Sequence, residues 1–314
     1  MEGGVDISVV IPVRNGGDYI GKQLNALLAQ KSFAKFEVVV ADNGSTDDTA
    51  QIVQKVVSCD TRVRLVDASR GVGVNVPRNV GVRAARGSRI LLTDADDVVH
   101  AGWIQAYWKA FRNGAHTAGG SLHRVLADGT VLAKESKLYT CRMSESAYAN
   151  GTNCGFTREA YDAVGGFDEN LAGGGDEIDF FARTSRIGYR MTLVPDAVVD
   201  KLQHTDLSKV FHQHFNFGRG EVSVAKKFRP RMVCSPVAAV AGVQAAIWFL
   251  LWATVGRVPR VRRKAVMMLG LSLGILVEET RALSEVAEQH VSRPPAPGGA
   301  IAPWANRSQS SQIA

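Results

Sequence analysis

Four short apolar runs open the chain: Ile7–Pro12, Phe36–Ala41, Val63–Val66 and Arg89–Thr93. Each gives way abruptly to polar or glycine-rich residues. Between them the spacing turns helical. Tyr19–Gln30 carries apolar residues at helical intervals, and Thr46 to about Val57 reads as a helix with Asp47 and Asp48 in its first turn, where the helix dipole favours acids. Val80–Ala85 and Trp103–Phe111 are further helical stretches. Strands that alternate with helices need crossover connections, which produce parallel pairing. The expected fold is therefore an α/β domain with a mostly parallel sheet.

The texture changes after about residue 120. Asp128-Gly129 between Leu122–Leu126 and Thr130–Ala133 reads as a hairpin turn. A more mixed region runs to about Arg231, and within it Asp176–Arg186 is an amphipathic helix preceded by Gly173-Gly174-Gly175. Val237–Val255 is apolar apart from Gln244 and Thr254, long enough for the roughly 20 residues a bilayer crossing takes. Ala265–Val277 is a second, shorter apolar stretch. Basic residues flank the first on both sides (Lys226, Lys227, Arg229 and Arg231 before; Arg257, Arg260, Arg262, Arg263 and Lys264 after), whereas a simple span carries its excess on one side. The expectation is a helical pair lying in, or dipping into, one leaflet, with a soluble helical hairpin as the alternative. The tail beyond about Val291 is rich in Pro, Gly, Ser and Gln and reads as disordered. The parts expected are thus 1–120, 121–230, 231–290 and 291–314.

A chain of 314 residues that is 46% hydrophobic can bury a substantial core in one or two domains. Its net charge of +7 favours anionic partners, although charge alone also serves solubility. No basic stripe interleaved with aromatics points to nucleic acid. Cys59, Cys141, Cys154 and Cys234 form no C-x-x-C pair, which argues against a cysteine zinc site and for a reducing compartment. The acidic start Met1-Glu2-Gly3-Gly4-Val5-Asp6 lacks the basic region of a signal peptide.

In a parallel α/β sheet, ligands bind beyond the carboxyl ends of the strands. Pro12–Asn15, Asp42–Thr46, Asp67–Gly73 and Asp94–Asp97 occupy those ends, so one crevice is expected to collect them. Asp94 and Asp96 lie one residue apart at the end of a buried strand. Carboxylates there are costly to bury unless something positive sits between them, and a divalent cation holding a diphosphate satisfies both.

Four segments occur in order: Val10-Ile11-Pro12-Val13-Arg14-Asn15, Ala41-Asp42-Asn43-Gly44-Ser45-Thr46-Asp47, Pro77-Arg78-Asn79-Val80-Gly81 and Leu92-Thr93-Asp94-Ala95-Asp96-Asp97. Together with Gly175-Asp176-Glu177-Ile178-Asp179, they resemble glycosyltransferase family 2 over roughly residues 5 to 220. The resemblance implies a GT-A fold and inverting transfer of a sugar from a nucleotide donor. It implies that Pro12 and Arg14 line the base and ribose pocket, that Asp42 contacts base or ribose, and that Arg78 and Asn79 lie near ribose and diphosphate. Asp96 would bind Mg2+ or Mn2+, with Asp94 on the ribose or the metal and His204 as a further metal ligand. Glu177 would be the catalytic base. Asp176 is held in reserve, because the two acids stand in the opposite order to the family pattern. Pro77 replaces the more usual alanine, a change the start of a helix tolerates. Phe-Gly-Arg-Gly resembles a segment near the diphosphate, which would place Arg219 on the leaving group. The structural reading of these acids is plainer: Asp42 and Asp97 as capping residues, and Asp176 and Glu177 as ordinary acids at a helix start. Asp179 and Arg183, four apart, suit a supporting ion pair.

The expected partners are a UDP-, dTDP- or GDP-sugar donor, a glycan or lipid-linked acceptor as in cell-envelope synthesis, and the cytoplasmic face of the plasma membrane. Two other readings compete with this one. Asp94-Ala95-Asp96-Asp97-Val98 also resembles the nucleophile motif of haloacid-dehalogenase-type phosphatases, but that motif usually opens the sheet, and three strands precede it here. A nucleotide-sugar-binding protein without turnover is the other, against which the full set of acids speaks. A dinucleotide-binding fingerprint is absent, since Gly71-Val72-Gly73 lacks a third glycine at the right spacing.

Overall fold

A computed structural model describes residues 4–141, 146–171, 174–203, 205–228, 235–255 and 258–291. The first half alternates as the sequence predicts. It runs β1 (Ile7–Val13), α1 (Gly17–Leu28), β2 (Phe36–Asp42), α2 (Thr49–Cys59), β3 (Val63–Asp67), α3 (Asn75–Ala84), β4 (Arg89–Leu92), β5 (Val98–Val99) and α4 (Trp103–Arg112). Then come β6 (Thr117–Val125), β7 (Val131–Glu135), β8 (Tyr139–Cys141), β9 (Ser146–Tyr148), β10 (Cys154–Thr157), α5 (Arg158–Ala163), α6 (Asp176–Arg186) and β11 (Met191–Leu202). The helices α7 (Leu207–Phe228), α8 (Ser235–Val255) and α9 (Pro259–Val291) follow.

Nine strands form one sheet in the order β3-β2-β1-β4-β10-β6-β11-β5, with β7 beside β6. β1 pairs in parallel with β2 and β4, and every one of its residues is buried. A strand covered on both faces is a near-continuous apolar run, and Ile7–Val13 is apolar but for Ser8, whose hydroxyl donates to Glu37 Oε1 at 2.8 Å. Val9 and Ile11 face a core shared with Leu24, Trp103 and Tyr107; Val10 faces a second core with Val82, Phe156 and Phe180. β10 is antiparallel to both its neighbours, β4 and β6. The sheet runs without a break across residue 120, which falls inside β6.

Asn153 closes the seam between α4, β6 and β11. Its Oδ1 accepts from Trp103 Nε1 at 2.8 Å and Tyr107 OH at 2.9 Å. Its Nδ2 donates to the carbonyls of Ser121 and Ala197, each at 2.8 Å. The register of β11 against β6 slips between Val194 and Val198, and Asn153 meets the strand there. A Cβ on Gly120 would collide with Asn153 and the Ala197 carbonyl, so glycine is what lets the amide in.

Several boundaries depart from the sequence reading. α2 begins at Thr49 rather than Thr46, because residues 42–48 are held as a loop: Thr46 N–H donates to Asn15 Oδ1 at 2.8 Å and Gly17 N–H to Asp47 Oδ2 at 3.0 Å. α3 begins at Asn75, five residues before Val80, since Pro77 falls in its first turn where no N–H is needed. Ala265–Val277 is the middle of the 33-residue α9 rather than a short separate helix. Among the described residues no helix is long and apolar enough to cross a membrane, so the apolar length of Val237–Val255 does not make a span there. Residues beyond Val291, expected as a disordered tail, lie outside the described residues, as does Cys234.

Candidate active site

The loops after β1 and β2 are laced together. Asn15, in the left-handed region at φ 55, donates its N–H to Ser45 Oγ at 2.9 Å, a backbone position that asparagine tolerates better than most residues. Asp42 Oδ1 accepts from Ser45 N–H at 2.9 Å and Ser45 Oγ at 2.6 Å. One oxygen of the half-buried Asp42 therefore shapes the turn. Beside these loops lies a cleft of about 270 Å³ lined by Pro12, Arg14, Asn43, Gly73 and Pro77. Val74 lines this cleft and also a neighbouring one of about 320 Å³, which holds Arg78, Asp94, Asp176, Glu177 and Lys201. A further cavity, about 720 Å³ between α4 and residues 188–196, is lined by none of the motif residues.

Asp94, Asp96 and Asp97 bring carboxylate oxygens within 4.8 Å of one another. Gln23, wholly buried in α1, fixes the ends of their loop. Its Nε2 donates to Thr93 Oγ1 at 2.8 Å and to the Asp94 carbonyl at 3.3 Å, and its Oε1 accepts from Val99 N–H at 3.1 Å. Asp97 points inward, bonded by the Thr152 hydroxyl and by Leu202 N–H at 3.1 Å. Burial pushes its carboxyl well above the usual carboxylate range; Lys201 opposes the rise, and Asp94 and Asp96 add to it. Lys201 Nζ lies 3.7 Å from Asp94 Oδ2. Burial alone lowers an ammonium pKa, yet Asp97, Asp94, Asp96 and Glu177 together hold that of Lys201 above its ordinary value.

α6 brings in the remaining acids. Gly174 and Gly175 have φ of 129° and 76°, and a Cβ on Gly175 would lie 2.8 Å from the Gly220 carbonyl oxygen of α7. Glycine on both sides lets the loop before α6 rest on the α7 backbone. Asp176 is buried and paired with the equally buried Arg78, whose guanidinium also lies over the Phe167 ring, 5.5 Å from its centroid. Glu177, the next residue, is half-buried and faces the cleft that holds Asp94 and Lys201. The expected Asp179–Arg183 pair forms at 2.7 Å, and Arg183 also caps the carbonyls of Val164 at 2.6 Å and Gly166 at 2.8 Å.

The structure thus brings Arg78, Asp94, Asp176 and Glu177 into one cleft and Pro12 and Arg14 into the adjoining one. Asn79 is engaged elsewhere. Its Nδ2 donates to the Phe167 carbonyl and Glu169 Oε1, and its Oδ1 accepts from Tyr161 OH and Phe167 N–H. All four positions of the amide hold the 161–169 segment, which leaves none for a ligand. Arg219 pairs with Glu278 of α9 at 3.1 Å and not with the cleft. His212 and His214 bond to carbonyls one turn back in α7, at 2.8 and 2.9 Å. His204 lies outside the described residues. Lys201, Thr152 and Gln23 were not singled out from the sequence. Lys201 stands one residue past Asp200, which ends the apolar run Ala197-Val198-Val199, a weaker form of the signal that marked Asp94; Thr152 and Gln23 carry none, since only the fold brings them to the acids.

A family model described as glycosyl transferase family 2 matches residues 8–165. The chain is 27% identical over 225 residues to glycosyltransferase AglE of Haloferax volcanii, covering 69% of this chain and 73% of that protein. It is 25% identical over 245 residues to the succinoglycan biosynthesis protein ExoA of Rhizobium meliloti, covering 70% of each. The fold resembles that of mannosyltransferase PcManGT from Pyrobaculum calidifontis, solved with GDP-Man and Mn2+. That likeness has a TM-score of 0.62 at 19% identity, over 87% of this chain and 86% of the other.

Proposed function

The chain belongs to glycosyl transferase family 2, and from that premise we propose that it transfers a sugar from a nucleoside diphosphate donor to an acceptor hydroxyl in one inverting displacement. The observation that carries this reading is the pairing of Asp176 with Arg78. It occupies one acid of α6 and leaves its neighbour Glu177 facing the cleft of Asp94 and Lys201.

The nucleoside enters the cleft of Pro12, Arg14 and Gly73, and the diphosphate extends past Val74 towards the acids. Lys201 neutralises phosphate charge. Glu177 accepts the proton of the acceptor hydroxyl as that oxygen attacks the anomeric carbon, a contribution of about 10²–10⁴-fold. Asp176 holds Arg78, and through it the floor of the cleft. The carboxylates of Asp94 and Asp96, brought together beside the inward-turned Asp97, are hard oxygen donors that fit Mg2+ or Mn2+. Asp96 and Asp94 would hold the ion, with His204 as a further ligand. When bound, such an ion stabilises negative charge on the departing diphosphate.

The acceptor is read as a glycan or lipid-linked glycan at the cytoplasmic face of a membrane. Val240, Val243, Ile247, Phe249 and Leu250 of α8 stand half or more exposed, near the basic run Arg262-Arg263-Lys264 of α9. An apolar face beside basic residues suits an anionic leaflet. The three described cysteines are all free, which suits a reducing compartment.

Incubation with UDP-, dTDP- and GDP-sugars, with and without Mn2+ or Mg2+, tests the reading. Turnover of one donor with inversion at the anomeric carbon is expected. A product of retained configuration, or release of phosphate from simple esters without turnover of any donor, would overturn it.

A further inference from the structure

We propose that His100, His123 and Asp200 form a second metal site, which takes a borderline divalent ion such as Zn2+ or Co2+ and is separate from the acid cluster. Three strands meet there. Asp200 of β11 stands in register with His123 of β6 on one side and Val98 of β5 on the other. His100 follows β5, and its N–H is anchored to the Val198 carbonyl at 3.0 Å. His100 Nε2 lies 2.7 Å from Asp200 Oδ1, and His123 Nδ1 lies 3.4 Å from the same oxygen. The two imidazoles meet edge to face with centroids 5.1 Å apart, and the three ligand atoms fall within 4.8 Å of one another.

The donor set and spacing both point to a metal. Zinc bonds of about 2.0–2.1 Å put tetrahedral ligands roughly 3.3 Å apart. The His123–Asp200 distance already matches, and the His100–Asp200 contact is a hydrogen bond whose proton a metal replaces. Two imidazole nitrogens and one carboxylate favour zinc, cobalt or nickel over magnesium, which prefers oxygen alone. Side-chain exposures of 38%, 20% and 33% leave room for water in a fourth position. Consecutive residues of a strand point to opposite faces, so Asp200 faces away from Lys201 and the acids it neutralises. An ion here would staple β5, the tail of the Asp94–Asp97 loop, to β6 and β11.

The full chain carrying Asp96→Asn, which weakens the acid cluster, is titrated with CoCl2 and ZnCl2. One equivalent of cobalt with tetrahedral ligand-field absorption is expected, displaced by zinc, together with a melting temperature that rises by several degrees and saturates at one equivalent. Adding His123→Gln or, separately, His100→Gln should abolish both signals while the circular dichroism of the fold is kept. Absence of tetrahedral cobalt in Asp96→Asn, or its persistence in either histidine variant, overturns the site.

Discussion

Lys201 places its ammonium 3.7 Å from Asp94 Oδ2, where β11 ends beside the loop after β4. Three aspartates crowd that loop, so a lysine among them both relieves their repulsion and offers a donor to phosphate. A hydrogen bond to a charged group contributes about 1.5–3 kcal/mol. Lys201→Met should therefore weaken nucleoside diphosphate binding by about tenfold to a hundredfold in calorimetry. Unchanged affinity would show that the lysine serves only the acids.

The two neighbouring acids of α6 should separate cleanly. Glu177→Gln is expected to lower kcat by about 10²–10⁴-fold while leaving the melting temperature and donor affinity near wild type. Asp176→Asn removes the partner of a buried guanidinium, at a cost of about 3–5 kcal/mol, visible in chemical denaturation. If Asp176→Asn stays fully stable and Glu177→Gln stays active, the two roles are exchanged.

Asp97 predicts a pH dependence of stability in the presence of a chelator. Burial holds its folded carboxyl well above the usual carboxylate range, so folding favours its protonated form. That contribution is complete below the unfolded value and is lost as pH rises through the folded one. The melting temperature of the wild type should fall, relative to Asp97→Asn, as pH is raised from 4 towards neutrality. A gap between the two that does not change with pH would mean that Asp97 is ionised throughout, paired with Lys201.

Gln23 makes three bonds that brace the acidic loop from α1. Gln23→Leu keeps the volume and leaves Val99 N–H and the Thr93 hydroxyl buried without it. Each orphaned group costs about 1–3 kcal/mol. Denaturant midpoints should drop accordingly, and Mn2+ affinity should weaken as the loop loosens; wild-type values of both would assign the bracing elsewhere.

The exposed face of α8 predicts flotation with vesicles containing anionic lipid, retained after a high-salt wash. Replacing Ile247 and Leu250 together by Glu should leave the protein at the bottom of the gradient with donor hydrolysis intact. Flotation of the double variant would remove α8 from the membrane contact.

Much of the donor half was legible because its signals are local. A buried parallel strand is a continuous apolar run, and the residues where the runs stop include Pro12 and Asp94, which line the clefts, whereas Asp42, picked by the same signal, holds Ser45 in the turn instead. What the sequence hid depends on contacts across the fold. Arg78 and Asn79 are neighbours on one helix, yet one guanidinium reaches Asp176 while the other residue's amide closes on Phe167. No spacing rule separates them, because the difference lies in what α6 and the 161–169 segment bring opposite. Asp97 and Asp96 look alike in sequence too. Only the arrival of Thr152 and Leu202 turns one of them inward.

The reversed strand β10 has an effect that reaches beyond its own pairing. Running against β4, it begins where β4 ends, so the segment leading into it delivers Thr152 to the acids from the opposite chain direction. Four residue pairs hold that join in place. Asn150 and Thr152 line the same cleft as Asp94, so a change in the residues leading into β10 reaches the acids directly while the β4–β10 join stays in place.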